Sequence, residues 1–371
     1  MANLTTNSSS RLISLDVMRG LIMILLAGES CLVYTSLKSV YPTGFAGMLV
    51  NQFFHHPWHG LHFWDLVQPA FMTMAGTAMY LSYQSKLAKG ITWKNNLKHI
   101  LTRSLKLFLL GTGLHCVYAG KLVWELWNVL TQLSVTTLIA YLIINRSVWF
   151  QLGFTAMLLL ATEILYRFIL MPGFDQPFTE SHNFGSYVDV LLMGKINPDG
   201  WVAINVIPTA AHTIWGMLAG KLLISKLLSP AKKINYLLLA GLAGLTLGFG
   251  LDLLNITPII KRISTSSFTL ASGGWVMLFL ATIYWLVDVK QLTKYAWIFT
   301  VVGMNAVFIY LFFETVGSQW FNGIVAIFIK GTLGFTVLPD KNIAVVSAMA
   351  TLIIEWSICF WLSKQKIYVK I

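Results

Sequence analysis

The sequence predicts an all-α, polytopic integral membrane protein, with about ten transmembrane helices in one bundle. Three observations lead there. Hydrophobic residues make up 56% of the 371-residue chain and charged residues only 11%, where a soluble domain carries about 25%. The apolar residues gather in runs near the ~20 residues that cross a bilayer core as a helix, the form that satisfies its own backbone polar groups there. Lys and Arg are distributed unevenly among the loops between those runs.

The runs lie at 12–36, 61–85, 99–118, 124–145, 147–170, 201–225, 234–253, 264–287, 294–316 and 342–363. The first follows a basic stretch and invites a signal-peptide reading. Asp16 and Glu29 flank its apolar part and no A-x-A-like site closes it, so a retained span is expected. Before the second run, Pro57 pushes His56 towards an extended conformation and suits a helix's first turn. Residues 318–333, short and broken by glycine, are expected to be interfacial or re-entrant. Residues 1–10 are expected to be a flexible leader, and no linker or repeat divides the remainder, so 1–371 reads as one domain.

With the N-terminus inside, eighteen of the 26 Lys and Arg fall on the inner side, Arg11 and Lys370 among them. This predicts cytoplasmic termini and outward-facing connections at 37–60 and 171–200. The net charge of +12 then reports topology and anionic membrane lipid, and no nucleic-acid partner is expected. Cys31, Cys116 and Cys359 are scattered through apolar segments, which excludes a disulfide framework or a CxxC motif.

Ionisable groups inside spans are costly and default to paired or functional residues. Asp16 and Arg19 stand one helical turn apart and can pair. Alternatively Arg19, with Arg103 or Lys106, receives an anionic ligand such as a phosphate-bearing cofactor. Glu29 is either protonated and hydrogen-bonded or lines a wet cavity. His115, His212, Asn205, Asn305, Glu314 and Glu355 are each ordinary as single buried polar groups, but together they suggest a polar interior.

The stretch NQFFHHPWHGLHFWDLVQP, 51–69, concentrates four of the eight histidines. Zinc held by His55, His59 and His62 is disfavoured, because Pro57 breaks the register and no HExxH pattern occurs; no metal is expected. An interfacial belt accounts for Trp58 and Trp64 but not for Asp65. A loop histidine at the mouth of a polar cavity could act as a general base, with Asp65 holding its other N–H. The residues alone do not choose among the imidazoles.

Four stretches in order resemble the heparan-α-glucosaminide N-acetyltransferase family: RLISLDVMRGL, HHPWHGLHFWDLVQPAFMTMAG, INPDGWVAINVIPTAAHTIWGMLAGKLL, and TSSFTLASGGWVMLFLATIYWLVDV with GMNAVFIYLF. They run from about residue 11 to 316. The resemblance implies an enzyme that takes acetyl-CoA, as co-substrate, from the cytoplasm and acetylates glucosamine or a glucosamine-ended glycan on the far side. The family's active-site histidine falls on His55, with His56 the rival one residue away. By the same resemblance the nucleotide would stay with Arg19 and Arg103. Glu29, Asn305, His212 and the TSSFT run, including Ser266, would line the tunnel for its arm. Trp58, Glu29 and Ser30 would meet the acceptor, and a homodimer is allowed.

The sequence also departs from the family pattern. The position of an outer-end asparagine is Ser30. A Glu and Leu-Leu become Asp199 and Trp201-Val202, and an R-I pair is replaced within Thr131-Gln132-Leu133. These departures bear on the acceptor more than on the reaction. A hydroxyl acceptor on a surface glycan or lipid, or a transporter using Glu29 and Glu355 as ion sites, are the competing readings. A bacterial inner membrane is the expected location.

Overall fold

The computed structural model describes residues 12–369. Arg11, Lys370 and the expected leader 1–10 lie outside the described residues. Among those described, the chain is all helical, with no strand beyond two isolated bridges.

The first helix, α1 (Ile13–Ser30), turns by 61° into α2 (Val33–Val40) at Leu32, which adopts φ +65°. A short α3 (Gly44–Asn51) and a loop then lead into a 3₁₀ turn (Phe63–Leu66) and α4 (Val67–Leu87). The long helices α5 (Trp93–Ala119), α6 (Val129–Leu142) and α7 (Val148–Phe168) follow, then α8 (Phe184–Met193) and α9 (Val206–Ile224). Next come α10 (Pro230–Leu253) and α11 (Ser266–Tyr284), the latter extended by a π turn at Trp285–Val289. Several starts are set by residues that accept an orphan amide: Thr92, Asn128, Ser147, Asn183, Ser229 and Thr265 each cap their helix.

Among the described residues, five helices are long and apolar enough to cross a membrane, or up to seven if each of two bent pairs counts as one span. Each of the ten expected runs contains helix, but they are not equivalent. The 14 residues of α6 rise only about 21 Å, short of a hydrocarbon core. α4 and α9 are long enough but more polar. They cross with their backbones nearly touching. A Cβ on Gly76 would sit 1.9 Å from the Thr213 carbonyl oxygen, and one on Gly216 2.0 Å from that of Thr73. The Thr77 hydroxyl donates across the crossing to the Gly216 carbonyl (2.8 Å). Small residues permit this approach where hydrophobic burial gives little drive.

The expected break near residue 317 falls instead at Asn305, between α12 (Ala296–Met304) and α13 (Ala306–Phe312). From there helix runs on through a π-helical segment (Phe313–Phe321) into α14 (Asn322–Leu333), bent 74° from α12. Residues 318–333 are therefore the far half of a bent helix. Gly323 and Gly331 are accommodated within α14, while Gly317 of the π segment leaves room for Glu355 of α15 (Asp340–Lys364) beside it.

α11 fixes the two ends of the bundle. With its π turn it spans 24 residues, about 36 Å. At its far end Asp288 accepts from the backbone N–H groups of Ile13 and Ser14 (3.1 and 3.3 Å), capping α1. The C-terminal segment lies near by: Asn305 bonds the Ile367 carbonyl and the Val369 N–H, and Gly303 packs on Asp16. Both ends of the described chain thus lie opposite the loop that precedes Ser266.

Candidate active site

The loop at 52–62 is folded around one carboxylate. Asp65, in the 3₁₀ turn, accepts through Oδ2 from the backbone N–H groups of His56 (3.2 Å) and His62 (2.8 Å). Its Oδ1 lies 2.9 Å from Nδ1 of His55. A second loop, before α11, is stapled alongside. Gly60 N–H donates to the Ile259 carbonyl (2.8 Å), and His59 Nε2 meets Asp252 at 2.6 Å. That staple delivers Lys261, whose Nζ is 2.9 Å from His55 Nδ1 and 3.6 Å from Asp65 Oδ1.

The four clustered histidines therefore separate. His59 is exposed on Asp252, His62 Nδ1 donates to the Phe54 carbonyl (2.9 Å), and the His56 ring lies against His62 and over Gly60. Gly60 has φ +145°, and a Cβ there would come within 2.5 Å of His56 Nε2, so only glycine fits. His55, unlike the other three, is on the wall of the site's cavity. It encloses about 200 Å³, with Glu29, Lys261, Trp201, Gln132 and Glu314 also on its wall.

Burial, then the Lys261 charge, lower the His55 imidazole to about 4. The ring is accordingly neutral near pH 7. Burial also depresses Lys261 to about 8, against the pull of Asp65 and Glu29. Burial pushes Asp65 up, but the bond to His55, the Lys261 charge and the His62 amide outweigh it, and the net shift is downward. Asp65 is 1% exposed and Lys261 7%, so each charge depends on the other. Trp201 closes this corner, with its ring 5.6 Å from the His55 ring and 5.2 Å from Lys261 Nζ.

A chain of amides backs the cavity. Gln68 donates to Gln132, Gln132 to Asn205 (2.7 Å), and Asn205 to the carbonyl of Arg262 (3.2 Å). Opposite, Glu314 accepts from the Tyr118 hydroxyl (2.8 Å) and Glu29 ends α1.

Of the residues the sequence singled out, the structure brings His55, Asp65 and Glu29 together. Trp58 does not line this cavity; its indole donates to the Phe178 carbonyl (2.8 Å) and anchors the 171–200 loop. Ser30 donates to the Phe313 carbonyl (3.0 Å) and Ser266 to that of Leu159 (3.2 Å). His212 is fully buried on Thr269 and Ser272, and Asn305 ties down the C-terminal segment. None of these four, Ser30 expected at the acceptor and the other three along the tunnel, lines this cavity. Arg19 and Arg103 lie close enough to feel each other's charge, with Arg19 also 3.4 Å from Asp16. Arg19 is ten residues before Glu29, about 15 Å along α1. Met23, between those levels on α1, is buried in an apolar cluster that also holds Met72, Met74 and Leu107, and neither arginine lines the cavity.

Lys261, Trp201, Glu314 and Gln132 had no site role from the sequence. By the charge distribution alone Lys261 is one more outer-loop cation. Its signal was the Lys-Arg pair two residues before TSSFT, at the mouth of an apolar helix.

The site is thus a neutral imidazole held by a buried carboxylate, facing a cavity between helices. The chain belongs to the heparan-alpha-glucosaminide N-acetyltransferase family, whose catalytic-domain model matches residues 11–247. The match covers His55, Asp65 and Trp201 and stops before Lys261. A comparison with curated proteins finds no match. The chain is thus an integral membrane protein of an acetyltransferase family.

Proposed function

We propose that the protein transfers an acetyl group from acetyl-CoA to the amine of glucosamine or a glucosamine-ended glycan, with His55 as general base. The observation that carries this is the His55 ring on the cavity wall with Nδ1 against Asp65. A carboxylate on Nδ1 favours the tautomer whose Nε2 lone pair faces the reactants. An ammonium is not nucleophilic, so a base must take a proton before nitrogen attacks the thioester carbonyl. The ammonium gives its first proton to solvent through that base; attack of the neutral amine then forms the C–N bond as His55 takes a second proton from nitrogen, and collapse breaks C–S as that second proton passes to the departing thiolate. Glu29 and Glu314 on the same wall supply the negative potential that draws a cationic amine and favour it over a hydroxyl.

The cavity is smaller than the 300 Å³ or more that encloses a drug-sized ligand. It suits only the reacting ends, the acetyl thioester and the amine. In this reading the nucleotide stays with Arg19 and Arg103 at the cytoplasmic end, among ten crossings with both termini inside. The pantetheine arm displaces the flexible methionines at the level of Met23. The site then faces outward across a bacterial inner membrane.

Purified protein with labelled acetyl-CoA and a panel of amino sugars tests the reading. Base-stable amide product is expected, and a base-labile ester would move the acceptor to a hydroxyl. No acetylated product, or full activity in both His55→Ala and His56→Ala, rejects it.

A further inference from the structure

The contact between Lys261 and His55 is not explained by a base held by Asp65 alone. Nδ1 has one hydrogen-bonding position, and two groups claim it at 2.9 Å, Asp65 Oδ1 and Lys261 Nζ. With a proton on Nδ1 the ring donates to Asp65, and a charged ammonium beside it is repelled. Without that proton the ring accepts from the ammonium, and the proton moves to Nε2, facing the cavity. The two arrangements exclude each other, so the charge of Lys261 and the tautomer of His55 are one variable.

Resting on the acetyl-transfer reading above, we infer that Lys261 is a positioning residue that exchanges a proton with Nδ1 of His55 and so sets whether Nε2 acts as base or acid. The step balances. Nε2 takes the proton from the attacking amine as the C–N bond forms, and the Nδ1 proton passes to neutral Lys261, giving an ammonium. As C–S breaks, Nε2 returns its proton to the thiolate sulfur, and the Lys261 proton goes back to Nδ1. Lys261 thereby stores one proton between attack and collapse and spares the cavity a buried imidazolium. Its setting suits the task. Asp65 and Glu29 face it with negative charge, Arg262 with positive, and the Trp201 ring covers it. The depressed lysine value, about 8, leaves a usable neutral fraction near neutrality.

Two measurements test this, and one needs no turnover. The first is the ¹⁵N spectrum of histidine-labelled wild type, assigned by difference from His55→Gln, between about pH 6 and about pH 10. The Nδ1–H tautomer of His55 is expected to replace the Nε2–H form with a midpoint near 8, while Lys261→Met shows Nδ1–H throughout. The second is the pH profile of kcat/KM. Wild type is expected to rise through about 8. Lys261→Met and Lys261→Arg are each expected to lose about 100-fold, because an arginine keeps the charge but cannot lend its proton. A single His55 tautomer across the range in wild type overturns the inference, as does rescue by Lys261→Arg, which marks a plain charge pair. If wild type makes no acetylated product, the proposed function fails while the spectrum still decides the proton exchange.

Discussion

His55 and His56 are adjacent in the chain, yet Asp65 holds them by different atoms: the ring Nδ1 of His55 at 2.9 Å, but only the backbone N–H of His56 at 3.2 Å. One imidazole is thereby aimed into the cavity and the other laid over Gly60. His55→Ala is expected to lose about 10²- to 10⁴-fold in kcat, the usual contribution of a positioned base. His56→Ala should stay within a few-fold. Single-turnover transfer from labelled acetyl-CoA measures both, and equal losses would count against His55 as base.

The Asp65 carboxyl sits below its ordinary value in the fold, so it contributes stability that is present above about pH 4 and lost as pH falls further. The thermal midpoint of the detergent-solubilised wild type should therefore fall as pH is lowered below about 4. Asp65→Asn strands the buried Lys261 charge and should cost about 3 kcal/mol at pH 7, with a flatter pH response. A variant as stable as wild type at pH 7, with the same acid slope, would remove Asp65 from this role.

Glu29 and Glu314 share the cavity wall with His55. Glu29→Gln and Glu314→Gln are each expected to raise the acceptor KM by about tenfold, the loss of one hydrogen bond to a charged group. KM for acetyl-CoA and kcat should change much less. Steady-state kinetics with the two substrates varied separately shows whether the split appears.

The α4–α9 crossing carries the cavity's Gln68 on one helix and follows Asn205 on the other. Gly76→Ala places a methyl against the Thr213 carbonyl and should cost about 1–3 kcal/mol. Gly113→Ala is the control, since nothing lies within 4 Å of a Cβ there, and alanine suits a helix better than glycine. Thermal unfolding in one detergent should separate them; matching midpoints would mean the helices do not meet this closely.

The sequence by itself determined the membrane class, the helical runs and the family. Composition, run length and ordered motifs are local properties, and each survives without knowledge of what packs on what. It also narrowed the site to a stretch holding His55 and Asp65, because a carboxylate there has no use in an aromatic belt. Only the tertiary structure told His55 and His56 apart by placement, since that depends on which atom of each faces Asp65 across a folded loop. It alone brought Lys261 to His55 over 206 positions, and it placed Asn305, His212 and Ser266 away from the wall of the His55 cavity. The physical reason is the same throughout. A buried polar group is satisfied by whatever the bundle places beside it, and the chain carries no local record of a partner delivered by another loop.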